Sequence, residues 1–219
     1  MDANELLAFA RGPAFDIALI IFVGGMLLRL FEVLSLGKKS DLSAPRASGV
    51  GGGVRTVFDR TLPRKTVFEK EPLRIINGYV FHLGFFIVLF FYGPHIELFD
   101  SALGLRWPAL PSGVIDAVGA ITIISLIAAL VIRLNNKVMR FLSTPGDYVA
   151  WLVMLLPLLT GYLAYNHLLL PYTLMLALHL LSVELLLVVA PFSKLTHMFS
   201  FATARWYQGF KAGRRGVTS

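Results

Sequence analysis

Five histidines are the residues of this chain best suited to chemistry: His82, His95, His167, His179 and His197. A titratable ring inside a bilayer is costly without a partner, so a histidine in a long apolar segment is a functional candidate. His82 and His179 stand in such segments. His179 and His197 are 18 residues apart; on a continuous helix, at ~100° and ~1.5 Å per residue, that is about five turns, with both rings on one face ~27 Å apart. Neutral imidazole ligates haem iron, and two haems stacked across a membrane need two such ligands at different depths on one helix. Interhelical hydrogen bonding is the other use open to them.

The remaining unusual groups are Glu184, Arg29 and a run of aromatic rings. Glu184 interrupts the last apolar segment, where a carboxyl costs a few kcal/mol unless neutral or paired. It suits either a relay for quinol protons or a protonated group hydrogen-bonded within a bundle. It lies ~140° around the helix from His179, off the histidine face. Arg29 suits snorkelling to headgroups or pairing with a haem propionate. Phe85, Phe86, Phe90, Phe91 and Tyr92 are nearly continuous and suit lipid contact or the lining of a haem or quinone pocket. Trp107, Tyr148, Trp151 and Trp206 read as interfacial belt residues, and His167, beside Asn166, as a solvated link residue.

The elements that must position these groups are transmembrane helices. The 219 residues are 56% hydrophobic and 15% charged, with mean hydropathy +0.71, far from the ~25% charged residues of a soluble domain. Five stretches approach the ~20 apolar residues that span a bilayer: Ala14 to Phe31, Ile75 to Gly93, Val114 to Ile132, Tyr148 to Tyr165 and Tyr172 to Ala190. The expected fold is an all-α integral membrane protein, a five-helix bundle forming one domain over 1–219. Residues 37–74 are expected to be a flexible basic cytoplasmic link and 198–219 a basic cytoplasmic tail.

Charge orients the bundle. Lys38, Lys39, Arg46, Arg55, Arg60, Arg64, Lys65, Lys70 and Arg74 follow the first segment; Arg133, Lys137 and Arg140 follow the third; Lys194, Arg205, Lys211, Arg214 and Arg215 follow the fifth. The other side has Arg11 and Arg106 against Asp2, Glu5, Glu97 and Asp100. The positive-inside bias then puts the N-terminus outside and the C-terminus in the cytoplasm. It also accounts for the net charge of +7 without nucleic acid. The start, Met-Asp-Ala-Asn-Glu, lacks the basic region of a cleaved signal peptide, so the first helix is expected to stay in the mature protein.

Other classes are less well served. Gly49, Gly51, Gly52 and Gly53 follow no strand and precede no Lys-Ser or Lys-Thr, so they read as a linker, not a phosphate loop. No internal repeat suggests a two-halved transporter. With no cysteine the chain offers no thiolate to an iron–sulfur cluster, which must belong to a partner.

Two segments carry a family resemblance. Leu178-His179-Leu180 with Pro191-Phe192-Ser193-Lys194-Leu195-Thr196-His197-Met198 resembles the last helix of the gamma subunit of respiratory nitrate reductase, a dihaem cytochrome b. Asn77-Gly78-Tyr79-Val80-Phe81-His82-Leu83-Gly84 resembles that family's second helix. The similarity runs over roughly residues 10 to 205 and is shared with membrane cytochromes of sulfite-reductase-linked and heterodisulfide-reductase-like complexes, to which Leu142-Ser143-Thr144-Pro145-Gly146-Asp147-Tyr148 is also similar.

The resemblance implies haem b and quinone as cofactors in a multi-pass protein of the cytoplasmic (inner) membrane. It implies a respiratory electron-transport subunit, incomplete as an enzyme by itself, that passes electrons between the quinone pool and a cytoplasmic iron–sulfur oxidoreductase partner. His82 and His197 would hold the cytoplasm-proximal haem, and His179 one side of the distal haem. The family's fourth ligand falls where this chain has Tyr92, a departure from the pattern. Tyrosinate would lower the potential; His95, one turn on and ~60° away, would substitute if the helix bends at Gly93-Pro94. A haem-free anchor with a quinone pocket, and a small transporter, are the alternatives.

Overall fold

The computed structural model describes residues 1–36 and 44–217; Lys38 and Lys39 lie outside the described residues. Among these residues the chain is helical throughout, without strand: α1 Ala3–Phe9, α2 Phe15–Ser35, α3 Gly49–Asp59, α4 Lys65–Phe68, α5 Pro72–Phe91, α6 Gly93–Leu103, α7 Ser112–Asn135, α8 Lys137–Leu142, α9 Pro145–Tyr165, α10 Tyr172–Val189 and α11 His197–Arg214. Five stretches are long and apolar enough to cross a membrane: Ala3–Ser35, Pro72–Phe91, Ser112–Asn135, Pro145–Tyr165 and Tyr172–Phe192. That is the pattern of a multi-pass membrane protein, and it matches the five segments expected from hydropathy, with ends shifted by a few residues except that the first span starts at Ala3 rather than Ala14.

Two compact units divide the chain, Met1–Ile21 with Leu73–Val189 and Phe22–Pro72 with Ala190–Ser219. In the first, α1 starts on a capping box: Asp2 Oδ1 accepts from the backbone of Asn4 and Glu5, and Glu5 accepts from Asp2 N. Gly12 and Pro13 then interrupt the helix in a π turn over Ala10–Ala14, as expected where proline removes a donor. The packed side of α7 is lined by small groups. Thr122, wholly buried, turns its hydroxyl back onto Val118 O at 2.7 Å, and Gly84 of α5 leaves the room that Thr122 occupies. Thr144 and Asp147 cap α9, and Arg133 closes on Asp147 at 3.6 Å and on Ser143 Oγ at 2.9 Å.

The second unit holds what sequence reading missed. The glycine-rich stretch expected to be a flexible link is an α-helix, α3, packed on α11, itself part of the expected tail. Gly52 and Gly53 meet Gly209, Gly213 and Trp206 so closely that a Cβ at Gly52 would lie 2.5 Å from Gly209 O. Glycine has poor helix propensity because of its backbone entropy, but here its missing side chain lets two helix backbones touch, as in GxxxG contacts. Arg29 of α2 donates from Nε to Pro191 O at 2.9 Å and from Nη1 to Glu32 at 2.8 Å. It thus caps a carbonyl at the end of the fifth span.

Candidate functional site

The second transmembrane helix breaks where the sequence allows it. Tyr92 is extended (φ −80°, ψ 129°) and serves as the cap from which α6 restarts at Gly93-Pro94. A proline there cannot donate to the preceding turn, so the last carbonyls of α5 need other donors. Trp107 Nε1 donates to Phe90 O at 2.6 Å, Leu110 N to Phe91 O at 3.0 Å, and His95 Nδ1 to Val88 O at 3.0 Å. The break thereby folds the His95 ring back over the end of its own parent helix.

Opposite stands His179 on α10, half-buried in the span with the largest buried share. Pro157 sits inside α9, and its carbonyl accepts from His179 Nδ1 at 3.1 Å. Gly161, one turn on, makes the approach possible: a Cβ there would lie 2.9 Å from His179 Cε1. Thr160 Oγ1 lies 3.4 Å from His179 Nδ1 and 3.0 Å from Ser182 Oγ, so α9 and α10 are joined by polar groups inside an apolar bundle.

These two elements place the rings of His95 and His179 with centroids 6.3 Å apart and planes 18° from parallel. Carbonyl oxygens can only accept, so each Nδ1 donates, and in the neutral ring Nε2 then keeps its lone pair. The two rings form a near-parallel, stacked pair. Among the described residues no group of three or more His, Cys, Asp or Glu could hold a bare metal ion.

Around the pair, Tyr92 meets His95 edge-on at 5.1 Å and Tyr165 at 5.7 Å. Burial pushes the Tyr92 phenol above its usual pKa, and the neighbouring Tyr172 and Tyr165 add to this. Burial also lowers the pKa of His95, while the carbonyls of Val88 and Leu89 pull the other way. Both effects favour neutral groups. Phe81, Phe85, Phe86, Phe90, Phe99 and Trp107 continue outward as a chain of ring contacts 5.5 to 6.1 Å apart.

His82, in the first unit, is exposed on α5 with Nδ1 on Gly78 O at 2.7 Å. His197, in the second, is exposed at the start of α11 with Nδ1 on Lys194 O at 2.9 Å. Each has its Nδ1 engaged with a carbonyl, as His95 and His179 do. Glu184 is 6% exposed, and its Oε1 has no hydrogen-bond partner among the described residues. His167 is exposed as expected, in a left-handed turn (φ 54°) against Tyr172.

Over 220 aligned residues the chain is 31% identical to a protein of Nitratidesulfovibrio vulgaris strain Hildenborough, with 97% of each chain covered. It belongs to the same family as that protein. No family model matches the chain, and no solved structure matches it.

Proposed function

We propose that this chain is a haem b membrane subunit that carries electrons between the quinone pool and a cytoplasmic iron–sulfur oxidoreductase partner. The observation that carries the reading is the His95–His179 pair: two neutral imidazoles, 6.3 Å apart, each with Nδ1 held by a backbone carbonyl. The support for haem is chemical. A held Nδ1–H fixes the ring and raises the basicity of Nε2. Tyr92, whose proton burial retains, is a poor ligand beside it. His95 thus takes the place that the resemblance gives to position 92.

A haem held there supplies reversible one-electron transfer inside the bilayer. The chain's own residues do the rest. Pro157 and Val88 orient the rings through their carbonyls, Gly161 sets how closely α9 approaches His179, and Tyr92 packs edge-on against His95 and Tyr165. The resemblance assigns His82 and His197 to a second haem, and haem counting tests that assignment. Glu184, buried and with one oxygen unpartnered, suits a carrier of quinol protons. The distribution of Lys and Arg supports an N-out, C-in orientation in the cytoplasmic membrane.

The test is to reconstitute the purified chain in liposomes, add a reduced naphthoquinone, and follow the haem b α-band. Reduction by quinol in the native chain, lost in His179→Ala, is expected. A chain that carries no haem b contradicts the reading and leaves a haem-free anchor, which the His179–Thr160–Ser182 hydrogen bonds would serve.

A further inference from the structure

Among the described residues of its unit, the α3/α11 pair leaves one apolar face without a partner. α3 turns Gly49, Gly53 and Thr56 onto α11, while Val50, Val54 and Phe58 recur every fourth residue as a separate stripe, 58%, 47% and 72% exposed. On a helix that stripe is about 80° wide and lies beside the packed face, not within it. Arg55 lies about 60° beyond Phe58, between the stripe and the packed edge at Gly52, and pairs with Asp59 at 3.0 Å.

Charge and depth indicate what covers the stripe. α11 and the turn before it carry Lys194, Arg205, Lys211, Arg214 and Arg215 and no acidic residue. Arg205 and Lys211 lie over the rings of Phe201 and Tyr207, at 5.4 and 4.4 Å, with stems along apolar surface and charges outward. The first turn of α11 meets the bilayer-spanning helix directly: Phe199 packs on Phe22 with centroids 6.0 Å apart, and Phe22 lies within the Ala3–Ser35 span. The pair therefore begins at membrane depth. An apolar stripe on a basic helix pair rooted in the bilayer fits a surface that offers hydrocarbon and phosphate together.

We infer that α3 and α11 form an interfacial module, with Val50, Val54 and Phe58 seated in the acyl boundary of an anionic leaflet and Arg205 and Lys211 of α11 on its headgroups. The module anchors the end of the fifth span to the lipid surface, and anionic lipid is its ligand. This goes beyond the electron-transfer reading and does not rest on it.

The chain has no cysteine, so single labels can be placed cleanly. Spin labels at Val54→Cys, Phe58→Cys and Arg55→Cys in the full chain are compared in nanodiscs of phosphatidylglycerol and of phosphatidylcholine, with helical content checked by circular dichroism. In the anionic discs, labels at positions 54 and 58 are expected to collide several-fold more with oxygen than with a water-soluble nickel chelate. The label at 55 should show the reverse, and the contrast should shrink in phosphatidylcholine. Nickel access at 54 and 58 equal to that at 55 overturns the inference. So does an undiminished contrast in phosphatidylcholine, dipolar broadening between two copies, or shielding that arises only when a co-purified soluble protein is added.

Discussion

His95 donates to Val88 O at 3.0 Å, seven residues back along the chain, and the same ring faces His179 at 6.3 Å. One side chain thus repairs the broken end of α5 and, in the proposed function, supplies half of a two-nitrogen site. The consequence is that the break at Gly93-Pro94 and the site stand or fall together.

His95 gives the first prediction, through pH. Its native pKa is lowered by burial, against an ordinary value of ~6.5. Between the lowered value and ~6.5 the unfolded chain binds more protons than the native one, so stability falls as pH falls through that window. The detergent-solubilised chain stripped of haem should lose more thermal stability between pH 7.5 and pH 5.5 than haem-free His95→Gln. Equal losses, read by circular dichroism melts, would contradict this.

Gly161 gives the second. A Cβ there would press on His179 at 2.9 Å from Cε1 and 3.0 Å from Nδ1, and the ring is fixed by Pro157 O. Gly161→Val should cost about 1–3 kcal/mol through overpacking and displace His179, so that cofactor binding falls while helical content holds. Unaltered haem content in a folded Gly161→Val chain would show that this contact is not what positions the ring.

Two neighbouring glycines of α3 should behave oppositely. Gly52 touches the backbone of α11, whereas a Cβ at Gly51 meets only Ser48, at 3.5 Å. Gly52→Val should open the α3/α11 pair and make the Arg55 and Arg60 peptide bonds susceptible to trypsin. Gly51→Ala should leave them protected and stabilise the helix by about 0.5–1 kcal/mol. Cleavage at equal rates in both variants would count against the close crossing.

Glu184 gives the fourth. Its burial without a partner for Oε1 is tolerable in a bilayer only for a neutral carboxyl. Glu184→Gln should therefore fold within about 1 kcal/mol of the native chain, while slowing quinol-driven haem reduction. A large loss of stability in the melt would reveal an ion pair or cation at this position.

How much of this was legible before folding follows from what each signal depends on. The five spans were plain because the bilayer imposes a length of apolar residues on any crossing helix, whatever it packs against. The break at Gly93-Pro94 was legible as a possible bend, because proline acts locally. That His95 reaches His179 was not, since it depends on where α10 and α9 stand in space. The α3/α11 pair was hidden for a physical reason: Gly49, Gly52 and Gly53 weaken an isolated helix and strengthen only a helix whose partner also carries glycine, at Gly209 and Gly213. The Arg29 contact was not legible either, because its acceptor, Pro191 O, is 162 residues away.

The most direct test of the account is haem b per chain by pyridine haemochrome, on the native protein and on His95→Ala, His179→Ala and Tyr92→Phe, each checked for helical content. The account predicts that each histidine variant loses one haem per chain while Tyr92→Phe keeps the native complement. A native chain without haem b, or histidine variants that retain all of it, would contradict it.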